Sequence, residues 1–164
     1  MAMTDSQKLE KLNSIDEILR LKHIYWMYND VGFQGDKIAE LFAEDGVWSN
    51  DGAWSKKQLG YYKGREAIRD FFNGLSGAVP FCAHIGMNPI IEVNGDTAVG
   101  KWRALLLGTT VNDENPRADF ILIDYLDEFV RVNGVWQIKK MDILFNFNVP
   151  FGSSWAGLEV VRKD

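Results

Sequence analysis

The stretch IIEVNGDTAVGKW, residues 90–102, decides the fold. Two runs of alternating apolar and polar residues flank Asn94 and Gly95, and Asn-Gly suits a type I′ hairpin turn, in which both central residues need positive φ. The same signal returns in FVRVNGVWQI, residues 129–138, around Asn133 and Gly134. Outward from these turns the period of two predicts strands over 82–93, 97–111, 118–132 and 135–148. Upstream of residue 78 the period is helical. NSIDEILRLKHIYWMYND opens with Ser14 three residues before Glu17, a capping-box pattern, and predicts a helix over 15–30. GDKIAELFAED predicts a second helix with Ile38, Leu41 and Phe42 on one face, and GREAIRDFFNGLS a third with Ile68, Phe71 and Phe72; Gly46 and Gly74 fall near their ends. Helices followed by an antiparallel meander make an α+β domain, a curved sheet folded over helices, with Gly100 and Gly108 as its expected bends.

The chain has 164 residues, 46% of them hydrophobic, without a shift in composition, and reads as a single domain over 1–164 with a core over 14–148 and a tail over 149–164. A formal charge of −5 argues against a nucleic-acid footprint. The one cysteine, Cys82, excludes an internal disulfide, and zinc-type Cys/His spacing is absent. MAMTDSQKLEKLNS lacks the apolar core of a signal peptide, and the chain has no apolar run of about eighteen residues. A cytoplasmic, metal-free protein without membrane or nucleic-acid partners is expected. Six Trp, ten Phe and five Tyr exceed what a core this size usually needs, so an aromatic-lined ligand cavity stands beside plain core filling as a reading.

Parity places side chains. Gly100, Trp102, Ala104 and Leu106 form an uncharged set that should face inward, and Val99, Lys101 and Arg103 the solvated set. Ile121, Ile123, Tyr125 and Phe129 share one face of their strand; Phe120, Leu122, Leu126 and Val130 share the other. A strand apolar on both faces meets helices on one side and a pocket or another subunit on the other. No nucleophile elbow, dinucleotide fingerprint or phosphate loop occurs, so no cofactor is expected. What remains is His84, at the start of an apolar strand, with Asp30 and Tyr25 near the end of the first helix. From the residues alone, His84 is either a core histidine with both nitrogens satisfied or an acid/base group. Asp30 is either a helix-end residue before Gly32 or its partner. Tyr25 and Asp30 lie roughly 140° apart around a helix and share no strict face.

IYWMYNDVGFQGDKIAELFAEDGVW, YKGREAIRDFF, AHIGMNPIIEVNGDTAVGKW and YLDEFVRVNGVWQIKKMDI, taken in order, resemble the SnoaL-like (polyketide-cyclase-like) branch of the nuclear transport factor 2-like superfamily over residues 14–145. The resemblance implies a cone-shaped antiparallel sheet around a long N-terminal helix, with an internal apolar cavity. Within the branch the chain is similar to the scytalone dehydratase, bile acid 7α-dehydratase and hexachlorocyclohexane dehydrochlorinase members. The likeness implies that Asp30 and His84 are a catalytic pair, that Tyr25 matches a tyrosine of the bile acid enzyme, and that Tyr125 faces the cavity. Met141 stands where the dehydrochlorinase has a cavity arginine. By parity Trp48, Phe81, Trp102 and Leu106 would pack against substrate.

A neutral imidazole near pH 7 suits proton abstraction, and a carboxylate fixes its tautomer. The expected function is a cofactor-independent lyase that eliminates water, halide or formaldehyde from a small hydrophobic, aromatic or alicyclic, hydroxylated substrate. Two alternatives stand beside it: an isomerase or cyclase using Asp30 as base, and a non-catalytic assembly subunit of an oxygenase-like complex. The tail, with Phe145, Phe147, Phe151, Trp155 and Leu158, is expected to cover the cavity mouth or pack on another subunit, and the resemblance implies a homo-oligomer, trimer or dimer.

Overall fold

The computed structural model describes residues 3–50, 59–112 and 115–156. The chain runs α1 (Asp5–Asp30), α2 (Gly35–Glu40), β1 (Phe42–Asn50), β2 (Gly60–Lys63), α3 (Arg65–Asn73), β3 (Phe81–Asn94), β4 (Thr97–Asn112), β5 (Asn115–Val132) and β6 (Val135–Pro150). The strands form one sheet in the order β2-β1-β6-β5-β4-β3. β3 to β6 make the expected antiparallel meander, and β1 joins β6 in parallel. This is the α+β architecture anticipated from the period change. No helix among the described residues is long and apolar enough to cross a membrane.

Several local expectations are corrected. α1 begins ten residues earlier than its apolar period, because Thr4 and Gln7 form the capping box and the polar stretch behind them has good helix formers. Ser14 sits inside the helix, its hydroxyl donating to the Glu10 carbonyl at 3.0 Å. α2 ends at Glu40, so Phe42 and Gly46 belong to β1, which alternation could not reveal because most of the strand is buried on both faces. The second hairpin is type I′ in character, with φ of 51° at Asn133 and 81° at Gly134. The first is shifted by one residue: Asn94 pairs with Thr97, and the turn is Gly95 and Asp96, with positive φ only at Gly95. Arg131 holds Asp96 there, its guanidinium at 2.8 Å from the carboxylate and its backbone N–H at 2.8 Å from the carbonyl. The sheet departs from regular register at Met87/Ile90 and on β5 at Leu122/Ile123 and Glu128/Phe129, and not at Gly100 or Gly108. Gly100 instead makes room for Trp102, whose ring would lie 2.0 Å from a Cβ at that position.

The inner face of the sheet follows the predicted parity. Trp102, Ala104, Leu106, Ile121, Ile123, Tyr125 and Phe129 are buried against α1, while Arg103 lies on the outer face in a bidentate pair with Asp124. On α1 the buried positions Ile18, Lys22, Tyr25 and Asn29 follow a 4-3-4 spacing that points one stripe at the sheet. Two members of this interface are charged. Lys22 Nζ meets Asp127 Oδ2 at 2.7 Å, and both side chains are fully enclosed. Burial lowers the lysine to about 8 and raises the aspartate to about 6, the attraction of each partner opposing the loss of water. The pair is thus charged at neutral pH, at a desolvation cost that its geometry offsets. Removing Lys22 alone strands a buried carboxylate. Lys22→Met should lower unfolding free energy by about 3–5 kcal/mol, whereas Lys22→Met combined with Asp127→Leu should stay close to the parent, as measured by urea denaturation.

Candidate active site

Asp30 is the last residue of α1, and the chain turns away directly behind it through Gly32, at φ 96°. The carboxylate therefore projects from the helix end toward β3. There it takes three donors: Oδ1 faces His84 Nδ1 at 2.6 Å, Oδ2 accepts the His84 backbone N–H at 3.0 Å, and the Cys82 thiol donates to Oδ1 at 3.5 Å. Cys82 and His84 are two residues apart and so share the inner face of β3. The histidine side chain is 5% exposed and the aspartate 27%. Gly86, next on that face, is required by close approach: a Cβ there would stand 2.2 Å from the Trp26 ring. Trp26 uses that space to lie over the imidazole, with centroids 6.1 Å apart and planes 19° from parallel.

Electrostatics fix the protonation. Burial would raise the Asp30 carboxyl, but the hydrogen bonds from the His84 ring and backbone outweigh it and hold the group below the usual carboxylate range. Burial is also the largest influence on His84, and it lowers the imidazole below its ordinary 6.5; Asp30 opposes this and Lys22 adds to it. A neutral imidazole whose Nδ1–H serves an ionised carboxylate leaves Nε2 as a lone-pair acceptor, and among the described residues Nε2 has no hydrogen-bond partner. Asp30, Cys82 and His84 also place ligand atoms within 4.8 Å of one another. Burial pushes the Cys82 thiol up to about 12, which disfavours the thiolate that a soft metal needs, and the short Nδ1–Oδ1 bond takes up the facing lone pairs.

The other anticipated residues divide. Tyr25 is buried on the same helix, but its hydroxyl accepts from Trp48 Nε1 at 3.0 Å and it makes no hydrogen bond to Asp30 or His84. Burial raises its hydroxyl far beyond the ordinary range, so it is a donor and not a base. Tyr125 meets Trp26 edge-on at 5.9 Å, Trp102 is its neighbour in register, and Leu106 is the cross-strand partner of His84. Trp48 packs on Phe71 at 4.5 Å beside Tyr25. Phe81 is the correction: it is 53% exposed and one residue out of phase with Cys82 and His84, so it lies on the outer face. Trp26, Lys22 and Asp127 went unnoticed in the sequence. Their signals were present, since Asp127 continues the inward parity of Ile121, Ile123 and Tyr125, and Lys22 lies one turn after Ile18 on the buried stripe.

The sheet's outer face takes the tail. Phe151 packs on Phe120 at 5.3 Å and Trp155 stacks on Phe147 at 5.9 Å, so the described part of the tail lies opposite the His84 site; Leu158 lies outside the described residues. Met141 is buried, its sulfur 3.8 Å from Lys22 Nζ.

Known proteins share this fold. A gamma-hexachlorocyclohexane dehydrochlorinase of Sphingobium indicum is 29% identical over 141 residues, covering 85% of this chain and 88% of its own. The crystal structure of a hexachlorocyclohexane dehydrochlorinase from Novosphingobium barchaimii superposes with a TM-score of 0.76 at 27% identity, covering 95% of this chain and 99% of that one. An NTF2-like protein with a cystatin-like fold from Novosphingobium aromaticivorans, 22% identical, matches the fold with a TM-score of 0.68 over 88% of this chain and 92% of its own. The SnoaL-like domain model matches residues 10–142, most of the length over which α1 carries Asp30 to the sheet that holds His84, and the chain belongs to that family.

Proposed function

We propose that the protein is a cofactor-independent lyase that removes a proton and a leaving group from a small hydrophobic, aromatic or alicyclic substrate. The observation that carries the reading is the buried His84 imidazole held by Asp30 at Nδ1, with Nε2 unpartnered among the described residues. The likeness to dehydrochlorinases favours halide as the leaving group; water and formaldehyde remain outcomes of the same chemistry. In the elimination His84 Nε2 takes the proton from a substrate C–H bond. The released electron pair becomes the new double bond as the carbon–halogen bond breaks and the halide departs with its electrons. Asp30, already accepting Nδ1–H, stabilises the imidazolium that forms. A hydroxyl leaving group would need a proton, which Tyr25 or Tyr125 could donate since burial keeps both neutral. The substrate would approach Nε2 from the inner face of the sheet, beside Trp26 and Leu106.

The rival in which Asp30 is the base fits the geometry less well. Both its oxygens are already engaged by the imidazole, the backbone N–H and the thiol. The assembly-subunit rival would leave Nε2 without a use. We further propose that the apolar outer row Ile85, Leu105, Leu122 and Phe147, which is continuous across β3 to β6, is covered in a homo-oligomer.

His84→Gln should lower turnover of a halogenated alicyclic substrate by two or more orders of magnitude with unchanged circular dichroism. Asp30→Asn should be less severe, and the reverse order would transfer the role of base to Asp30. Because the folded-state imidazole lies below 6.5, kcat/KM should hold as pH falls to that value and drop only beneath it, a profile read with one substrate between pH 4.5 and 8. For His84 the same sign applies to stability: below 6.5 the unfolded chain binds its proton more readily, so the unfolding free energy of the parent relative to His84→Gln should decline as pH falls. Sedimentation of the purified chain should give a species larger than 18.7 kDa, and Leu122→Glu should reduce it to the monomer.

A further inference from the structure

The buried pair Lys22–Asp127 takes no part in the chemistry above, yet its surroundings are built from that site's walls. Lys22 Nζ lies 3.5 Å from the Tyr125 ring centroid, 5.1 Å from Trp102, 5.2 Å from Tyr25 and 5.3 Å from Trp26. An enclosed ammonium inside four aromatic rings gains cation–π attraction from each. Of its hydrogen bonds only one is strong, to Asp127 Oδ2, and among the described residues Asp127 Oδ1 has no hydrogen-bond partner. A pair needed only to join α1 to β5 would be served as well by apolar side chains of similar volume. The distinguishing feature is Trp26, whose ring is in contact with the Lys22 ammonium and also lies over the His84 imidazole.

We propose that Lys22 and Asp127 are a positioning pair for the His84 site: the enclosed ammonium, which shares the Trp26 ring as a neighbour with the imidazole, disfavours a second positive charge there and helps keep His84 in the form that accepts a proton. The inference rests on His84 as the base, and deepens that reading by naming a charge that adds to burial in setting its resting state. The charged and titratable groups around the two sites bear this out. From α1 come Asp30, Tyr25 and Lys22 itself; from β3, Cys82; from β5, Tyr125 and Asp127; and from β6, Asp142, whose charge acts on Asp127. Asp30 is the anion that draws a proton toward the imidazole, and Lys22 is the cation that opposes it. Asp127 balances Lys22 on the side of β5, so the ammonium remains charged inside the fold.

The chain has two histidines, which makes the test direct. His84 reports the site, and its signals are told apart from those of the exposed His23, whose ring stacks on Trp26 with centroids 5.7 Å apart, by assignment. The full chain is labelled with nitrogen-15, and both imidazoles are titrated by NMR in the parent, in Lys22→Met/Asp127→Leu and in the hydrogen-bonding neutral pair Lys22→Gln/Asp127→Asn. Two chemically different pairs guard against one of them failing to fold. The His84 midpoint should rise by roughly half a pH unit or more in a folded variant. A His84 midpoint that stays put or falls, in either folded variant, overturns the proposal and leaves the pair as packing alone. The titration needs no substrate, so a parent protein without lyase turnover would overturn the proposed reaction and leave this result separately readable.

Discussion

A lysine that cannot reach water has to find an anion, and on this chain that requirement places α1 on the sheet. Lys22 is wholly enclosed, and Asp127 is the carboxylate it meets. An apolar stripe can slide along an apolar surface at modest cost, because hydrophobic attraction has no direction. A buried ion pair cannot slide, since displacement by a few ångströms would leave both charges desolvated without compensation. Its position therefore sets the register of a helix whose other buried residues, Ser14, Ile18, Leu21, Tyr25, Trp26 and Asn29, carry no charge.

From that register the rest of the site follows. Eight residues beyond Lys22 the helix stops at Asp30, at the height where β3 presents His84 and Cys82. Gly86 lets the Trp26 indole lie flat against β3, so the imidazole is covered on one face and held by a carboxylate at Nδ1. Three donors on Asp30 leave it ionised and immobile, which suits a group that orients and stabilises more than one that accepts a proton itself. The lone pair left at Nε2 is the consequence of this arrangement, and the likeness to dehydrochlorinases gives it a chemical context.

The two faces of the sheet divide the work. The inner face carries Trp102, Leu106 and Tyr125 toward α1, and the outer carries Ile85, Leu105, Leu122 and Phe147, partly sheltered by Phe151 and Trp155. Apolarity on both sides of β5 was visible as two interleaved sets, and it has a different use on each side. As far as it is described the tail lies along the outer face, the side proposed to meet another subunit.

The alternation around Asn94-Gly95 and Asn133-Gly134 determined by itself the four long strands, their order in the meander and, Phe81 apart, which side chains face inward, because side-chain direction in a strand has a fixed period of two. The same reasoning singled out His84 and, with the family resemblance, Asp30. It did not find β1, whose burial on both faces erases the alternation, nor the start of α1, set by a capping box in a polar stretch. It also missed Lys22 and Asp127, although both sit at inward positions, since a charge on an apolar stripe reads as an interruption until its partner is known. That partner is 105 residues away. Which charges meet across such a distance is decided by how helix and sheet pack in three dimensions, and no local period records it.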